Sequence, residues 1–100
     1  MGEIIGKRLK QAQERAGISS QVKFGLAAGL VESGLSGRLS QNFTGKHTPD
    51  LEIIKLFAAV VKTPACYFYC EDDQLADLIL KFGSLDEVQK KQLLDFVDKL

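Results

Sequence analysis

Residues 21–45 read QVKFGLAAGLVESGLSGRLSQNFTG, and apolar residues recur there in two short stretches at the spacing of an α-helix. The residues that share an apolar face in the first stretch, about 21–30, are Phe24, Ala27, Ala28 and Val31. Those of the second stretch are Leu35, Leu39 and Phe43. The linker 32–34 separates the two stretches, and Gly45 ends the second. Two short amphipathic helices joined by a brief turn are typical of a helix-turn-helix.

The helical periodicity continues towards the N-terminus and beyond Gly45. A first helix is predicted up to Gly17, with one apolar face and one polar face. Its apolar face consists of Ile4, Ile5, Leu9, Ala12 and Ala16, and its polar face of Lys7, Arg8, Lys10, Gln11 and Glu14. A fourth helix is predicted to begin at Asp50 and to end near Pro64, and a short fifth helix follows through Tyr69.

Two more helices are predicted in the C-terminal part. The first begins in the acidic run 71–73 and ends at Gly83, and the second begins at Ser84 or Asp86 and reaches the chain end. No stretch alternates in the manner of a β-strand. The sequence therefore predicts an all-α fold of five or six short helices. Residues 1–70 are expected to form the helix-turn-helix domain, and residues 71–100 a helical extension within the same compact unit.

Helix 3 has polar residues outside its apolar stripe that suit the edges of DNA bases. Arg38 can donate two hydrogen bonds to guanine, Gln41 and Asn42 can pair with adenine, and Ser36 can bind either base. Gln21 at the start of helix 2, with Lys46 and His47 in the following loop, can contact phosphates. The same pattern also describes an ordinary solvated helix, so the pattern alone leaves both interpretations open.

Charge is distributed unevenly along the chain although the net charge is zero. Residues 1–50 carry seven basic and four acidic side chains, a balance of +3, and residues 51–100 therefore carry −3. A basic half joined to an acidic half fits a DNA-contacting face with a separate association surface. A chance partition of solvated charges is the alternative.

Three segments resemble the XRE family, the lambda-repressor-like helix-turn-helix regulators. IGKRLKQAQERAGIS, residues 5–19, looks like the first helix of that family. GKHTPDLEIIKLFAAVV, residues 45–61, resembles the exit of the recognition helix and the fourth helix. TPACYFYCEDDQLADLILKFGSL, residues 63–85, is similar to the tail of a bacterial subgroup. The resemblance implies a lambda-repressor-like all-α DNA-binding domain that acts as a homodimer on a two-fold-related operator.

The resemblance also assigns roles to single positions. Gln21 matches the residue that opens helix 2 and contacts the phosphate backbone, and Lys46 matches a backbone-contacting lysine of the loop. The positions that match the groove-facing part of the recognition helix are Ser36, Arg38 and Gln41. The chain departs from the family in a slightly longer turn between helices 2 and 3 and in the glycines at 34 and 37. Asn42 and Phe43 also stand where the family often has an aromatic residue followed by Glu.

Catalytic and metal-binding patterns are missing from the sequence. The only histidine is His47, and Cys66 and Cys70 are expected to be core or half-buried thiols. The acidic residues near position 72 are expected to cap a helix. No apolar run has the length of a membrane span or a signal peptide, so a cytoplasmic protein without metal, cofactor or membrane partner is expected.

The apolar residues of the C-terminal part exceed what the end of a small domain needs. They are Leu75, Leu78, Ile79, Leu93, Leu94 and Val97. We expect them to combine core packing with a homodimer surface; alternatively, the two helices fold back over helices 1 and 5. The sequence thus predicts a non-enzymatic regulator, a repressor that binds double-stranded DNA. The alternative is a protein-interaction module, such as an antitoxin or an anti-repressor partner, that acts through the acidic half.

Overall fold

A computed structural model describes all residues, 1–100, and contains six α-helices and no β-strand. The helices are α1 Gly2–Arg15, α2 Gln21–Ala27, α3 Leu35–Thr44, α4 Leu51–Val60, α5 Asp73–Gly83 and α6 Glu87–Asp98. A 3-10 helix, Ala65–Tyr69, lies between α4 and α5. The structure confirms the predicted all-α fold of five or six short helices.

Four helices begin at a side chain that caps their free backbone N–H groups. The capping residues are Ser20 for α2, Asp50 for α4, Asp72 for α5 and Asp86 for α6. Each cap accepts a hydrogen bond from the backbone N–H three residues later, which satisfies a donor that the helix itself cannot. At Asp86 the contact is reciprocal, because the Gln89 side chain accepts from the Asp86 N–H.

α2 ends three residues earlier than the sequence pattern predicts. Its last helical residue is Ala27, and the chain then turns at Gly29, whose φ of 85° lies in the left-handed region. The Leu30 N–H donates to the Gly25 carbonyl and closes this turn. Val31 is consequently 70% exposed, and Ala27 is exposed too, so neither belongs to the predicted apolar face.

The four helices α1, α2, α3 and α4 share one core, which is built around three phenylalanines. Phe24 of α2, Phe43 of α3 and Phe57 of α4 pack edge to face, with ring centroids 4.6–6.4 Å apart. Further buried apolar residues come from the same helices and from the 3-10 helix, among them Ile5, Leu9, Leu35, Leu39, Ile54 and Phe68. α3 is therefore held from its inner side by three other helices.

Two glycines let α1 lie directly on the C-terminal end of α3. A Cβ atom at Gly6 would lie 2.4 Å from the Phe43 carbonyl oxygen, and one at Gly2 would lie 2.6 Å from that of Gly45. Both distances are shorter than real side chains allow. The position of the end of α3 thus depends on the absence of side chains at these two sites.

Arg8 joins α1 to the segment before α5. The sequence pattern placed Arg8 on the polar face of the first helix, but its side chain is only 2% exposed. Its Nε donates to the Cys70 carbonyl, and its two terminal nitrogens donate to Gln11 Oε1 and to the Glu71 carbonyl. The guanidinium also lies 3.0 Å from a carboxylate oxygen of Asp73. These contacts satisfy the buried charge, which explains why an arginine can occupy a core position.

The two C-terminal helices contribute little to this core. α5 buries Ala76 alone, and α6 buries no residue. The molecule measures 51 × 23 × 22 Å, and its radius of gyration is 14.8 Å. A spherical domain of this length has a radius of gyration of about 13 Å, so the molecule is elongated. Residues 71–100 form a helical hairpin in which α5 packs on the core through Ala76 and pairs with α1 through Asp73, whereas α6 projects beyond it.

Candidate nucleic-acid interface

α3 turns four residues into the core and presents small and polar residues outward. The buried residues are Leu35, Leu39, Asn42 and Phe43. The exposed residues are Ser36, Gly37, Arg38, Ser40, Gln41 and Thr44. The Gly45 that follows has a φ of 87°, which ends the helix and directs the chain into the loop of Lys46 and His47. The outward face of α3 is thus free of apolar side chains.

Asn42 differs from its prediction. Its side chain is only 5% exposed, so it does not lie on the outward face with Arg38 and Gln41. The physical reason is helical spacing: position 42 follows Leu39 by three residues and Leu35 by seven, which places it on the apolar stripe. The periodicity of the sequence could have shown this, but the polarity of asparagine suggested an exposed position.

Arg38, Gln41 and His47 come together in one groove at the end of α3. The groove has a volume of about 440 Å³ and lies between α3, the loop and the start of α4, with Asn42 contributing to its inner wall. The His47 N–H donates to the Gln41 carbonyl over 3.3 Å, which holds the loop against the helix. A guanidinium, an amide and an imidazole are therefore placed side by side on one surface.

The other three predicted residues lie apart from this groove. Ser36 precedes Arg38 by two residues, about 200° around the helix, so it lies on the opposite flank of α3. Gln21 is the first residue of α2 and is half-buried, and Lys46 is exposed in the loop. Of the seven predicted residues, four therefore line the groove. Ser36 lies on the opposite flank of α3, and Gln21 and Lys46 lie outside both places.

Basic residues near α3 are free of ion pairs. Lys23, Arg38 and Lys46 are exposed and pair with no carboxylate, whereas Lys7 and Arg8 both pair with Asp73 at 2.9 and 3.0 Å. The hydrogen bond from Lys7, followed by that from Arg8, lowers the pKa of Asp73 from its ordinary value. Three unpaired positive charges therefore lie at α2, α3 and the loop, while others, such as Lys10 on α1 and Lys91 on α6, lie elsewhere.

Two residues of the outward face were missed by the sequence interpretation. Ser40 is exposed and follows Ser36 by one helical turn, a spacing that could have identified it. Gly37 lies between Ser40 and Gln41 around the helix, and a Cβ atom built there meets nothing within 4 Å. The centre of the face therefore has almost no side-chain bulk, and an approaching molecule could come close to the backbone of α3.

We also searched the structure for metal-binding groups, paired thiols and membrane-spanning helices. No group of three or more His, Cys, Asp or Glu side chains is arranged to hold a metal ion. Cys66 is an exposed free thiol, so the prediction of a core or half-buried position was wrong for it, whereas Cys70 is half-buried and its Sγ contacts the Asp72 carbonyl at 3.4 Å. The helices are all too short or too polar to cross a membrane.

Comparison with known proteins identifies a relative of this chain. No model of a protein family matches the chain, and no curated protein matches it. Among solved structures, the crystal structure of the transcriptional regulator BswR matches with a TM-score of 0.85 and 40% sequence identity. The match covers 95% of this chain and 93% of that chain, so it includes the helical hairpin as well as the core. At this identity and coverage, the chain belongs to the family of the transcriptional regulator BswR.

Proposed function

We propose that this chain is a sequence-specific, double-stranded DNA-binding transcription regulator of the XRE type, and that it inserts α3 into the major groove. The observation that carries the proposal is the outward face of α3, where Arg38 and Gln41 are exposed side by side without an ion pair. The relationship to a transcriptional regulator supports the same function. A major groove about 12 Å wide admits one helix with its side chains.

Each polar residue has a distinct task in this proposal. Arg38 donates two hydrogen bonds to the O6 and N7 atoms of a guanine, and Gln41 pairs with a neighbouring adenine. Ser36 and Ser40 contact base edges or sugars on the other flank of α3. Lys46 and His47 in the loop contact phosphates after α3, and the Gln21 amide contacts a phosphate at the start of α2.

Repression follows from occupancy of the DNA. A homodimer places two copies of α3 in successive major grooves about 34 Å apart, so the operator contains two half-sites related by a two-fold axis. A promoter covered in this way is closed to RNA polymerase. The mechanism needs no catalytic residue, metal ion or cofactor.

A protein-interaction module is the second candidate function, because the helical hairpin exposes an apolar surface. An antitoxin or an anti-repressor partner would use that surface to bind another protein. The two candidates differ in their salt dependence. A DNA-binding protein loses affinity for duplex DNA steeply as salt rises because counterions are released on binding, whereas an interaction module shows little duplex binding at any salt concentration.

Fluorescence anisotropy with labelled duplexes tests the proposal. Duplexes enriched from a random library by the wild-type protein are titrated at several salt concentrations, beside a duplex of unrelated sequence. We expect Arg38→Ala to weaken binding to the enriched duplex by about 1–3 kcal/mol and to relax the preference at one base pair. Lys46→Ala should weaken binding to all duplexes. It should also reduce the slope of the logarithm of the binding constant against the logarithm of the salt concentration by about one.

Lys91→Ala is the matched control, because Lys91 is also exposed and unpaired but lies on α6. It removes one positive charge and should leave the affinity for DNA nearly unchanged. If the folded wild-type protein binds no duplex at low salt, or if Lys91→Ala weakens binding as much as Arg38→Ala, α3 is not the DNA-reading element.

A further inference from the structure

A cavity of about 500 Å³ lies between α1, the 3-10 helix and α5. Its volume is within the range of about 300–1,000 Å³ that is usual for sites that bind small molecules. α1 and α5 each contribute four lining residues and the 3-10 helix contributes one, and only three of the nine are hydrophobic. None of them belongs to the groove at α3. The proposed contacts with DNA therefore leave this cavity without a function.

The Gln11 side chain is held in one orientation at the cavity, with its amide N–H groups free. Its Oε1 accepts hydrogen bonds from Arg8 Nη1 at 2.9 Å and from the Tyr67 hydroxyl at 3.1 Å. Both donors are only 2% exposed, so their positions are fixed by the core. Gln11 Nε2 donates to no protein atom, and it is open to solvent because no buried side-chain nitrogen lacks a partner. Two N–H donors are thus available to an acceptor that enters the cavity.

Arg15, one helical turn after Gln11, adds an unpaired positive charge to the same wall. Its guanidinium lies 5.2 Å from the centre of the Tyr67 ring, a contact that restricts its position. No carboxylate of the protein pairs with it. Residues four apart on a helix are neighbours, so the guanidinium and the Gln11 amide can donate to one group. A carboxylate, which accepts hydrogen bonds on two oxygens, is the group that fits such donors.

The α5 wall carries the opposite charge. Asp73 and Asp77 lie one helical turn apart on it, and Asp77 pairs only through its Oδ2, with Lys81 at 2.8 Å. These two carboxylates and that of Glu14, which has no ion pair, outnumber the two arginines, so the lining has a net charge of −1. A ligand with negative groups alone would be repelled. A ligand with positive groups alone would leave the donors of α1 without an acceptor.

We therefore propose that the cavity binds a free amino acid, whose two charged groups match the two walls. Its carboxylate accepts hydrogen bonds from Arg15 and from Gln11 Nε2, and its ammonium group lies at Asp77. Ala76 and Leu80, one turn apart on α5, provide an apolar surface for its side chain. The ligand contacts α1 and α5 at once, so its binding should stabilise the attachment of α5 to the core. The proposal is independent of the DNA-binding function, because the two sites share no residue.

Nuclear magnetic resonance on the ¹⁵N-labelled full chain, without DNA, tests the proposal. Each of the common amino acids is titrated into the millimolar range. We expect at least one of them to shift the side-chain amide resonance of Gln11 and the Nε resonance of Arg15 until both saturate. The N-acetyl derivative of that amino acid lacks the ammonium group, and its amide derivative lacks the carboxylate. Each derivative should bind at least about 10-fold more weakly, because one wall then loses its partner.

Two variants and one control locate the site. Arg15→Ala should raise the dissociation constant of the amino acid at least about 10-fold, and its exposed position should leave the circular dichroism unchanged. Gln11→Glu keeps an acceptor for Arg8 and Tyr67 but removes the N–H donors, and it should weaken binding as well. Lys10→Ala is the matched control, because Lys10 is also exposed and unpaired on α1 but does not line the cavity. This control should bind like the wild type.

The proposal is overturned if no amino acid shifts the Gln11 amide in the millimolar range, or if Lys10→Ala weakens binding as much as Arg15→Ala does. Acetate that binds as tightly as the amino acid would also overturn it, because the cavity would then recognise an anion only. A protein that binds the amino acid but no duplex would refute the proposed function alone. A protein that binds duplex DNA but no amino acid would refute this inference alone.

Discussion

At the scale of single residues, Arg8 shows how one buried charge connects the core of α1 to α4 with the helical hairpin. Replacing it by Met keeps the apolar stem but removes the donors to the carbonyls of Cys70 and Glu71 and to Gln11. We expect Arg8→Met to lower the free energy of unfolding by about 2 kcal/mol, because polar groups at a partly buried site lose their partners. Urea denaturation monitored by circular dichroism measures this change.

Lys7→Met is the control for Arg8, since Lys7 pairs with the same carboxylate of Asp73. Both partners of that pair are largely exposed, so its loss should cost less than about 1 kcal/mol. Equal destabilisation by the two variants would show that Asp73 alone matters and that the carbonyl contacts of Arg8 contribute nothing.

At the scale of helices, two glycines differ in whether a side chain would fit at their position. Gly6 lies in α1 where a Cβ atom would meet the Phe43 carbonyl, whereas Gly37 lies in α3 with open space around it. Gly6→Ala should therefore destabilise the protein by about 1–3 kcal/mol through overpacking. Gly37→Ala should stabilise it by about 0.5–1 kcal/mol, because alanine loses less backbone entropy in a helix. Thermal unfolding of both variants measures these changes in stability. A Gly6→Ala protein as stable as the wild type would contradict the close contact of α1 with α3.

The helices were predictable because their boundaries are local. Capping residues such as Asp50 and Asp86, and the helix-ending Gly45, mark ends that depend on a few neighbouring atoms. Contacts between distant segments were not predictable in the same way. Polar residue types were assigned to solvent, which misplaced Arg8, whose backbone partners lie more than sixty residues away, and Asn42. At the candidate interface, the residue types of α3 were readable, but which of them share a groove depends on the loop that returns to Gln41.

At the scale of the whole molecule, the dimer and the DNA site are expected to depend on each other. If the homodimer of the proposed function holds its two α3 helices in one relative orientation, only half-sites on the same side of the duplex can be bound together. Inserting about 5 base pairs between the half-sites of an enriched duplex turns one half-site to the opposite side, and the second contact is lost. We expect the affinity to fall about 100-fold or more, because binding of the second α3 is no longer intramolecular.

The same duplex series separates this rigid arrangement from two independent contacts. An insertion of about 10 base pairs restores the rotational phase but lengthens the distance, so a rigid dimer should recover little affinity, whereas a flexibly linked dimer should recover much of it. A duplex with a single half-site supplies the reference, because only one α3 can bind it. A wild-type protein that binds every spacing equally well would show that the two copies do not hold their α3 helices in one relative orientation.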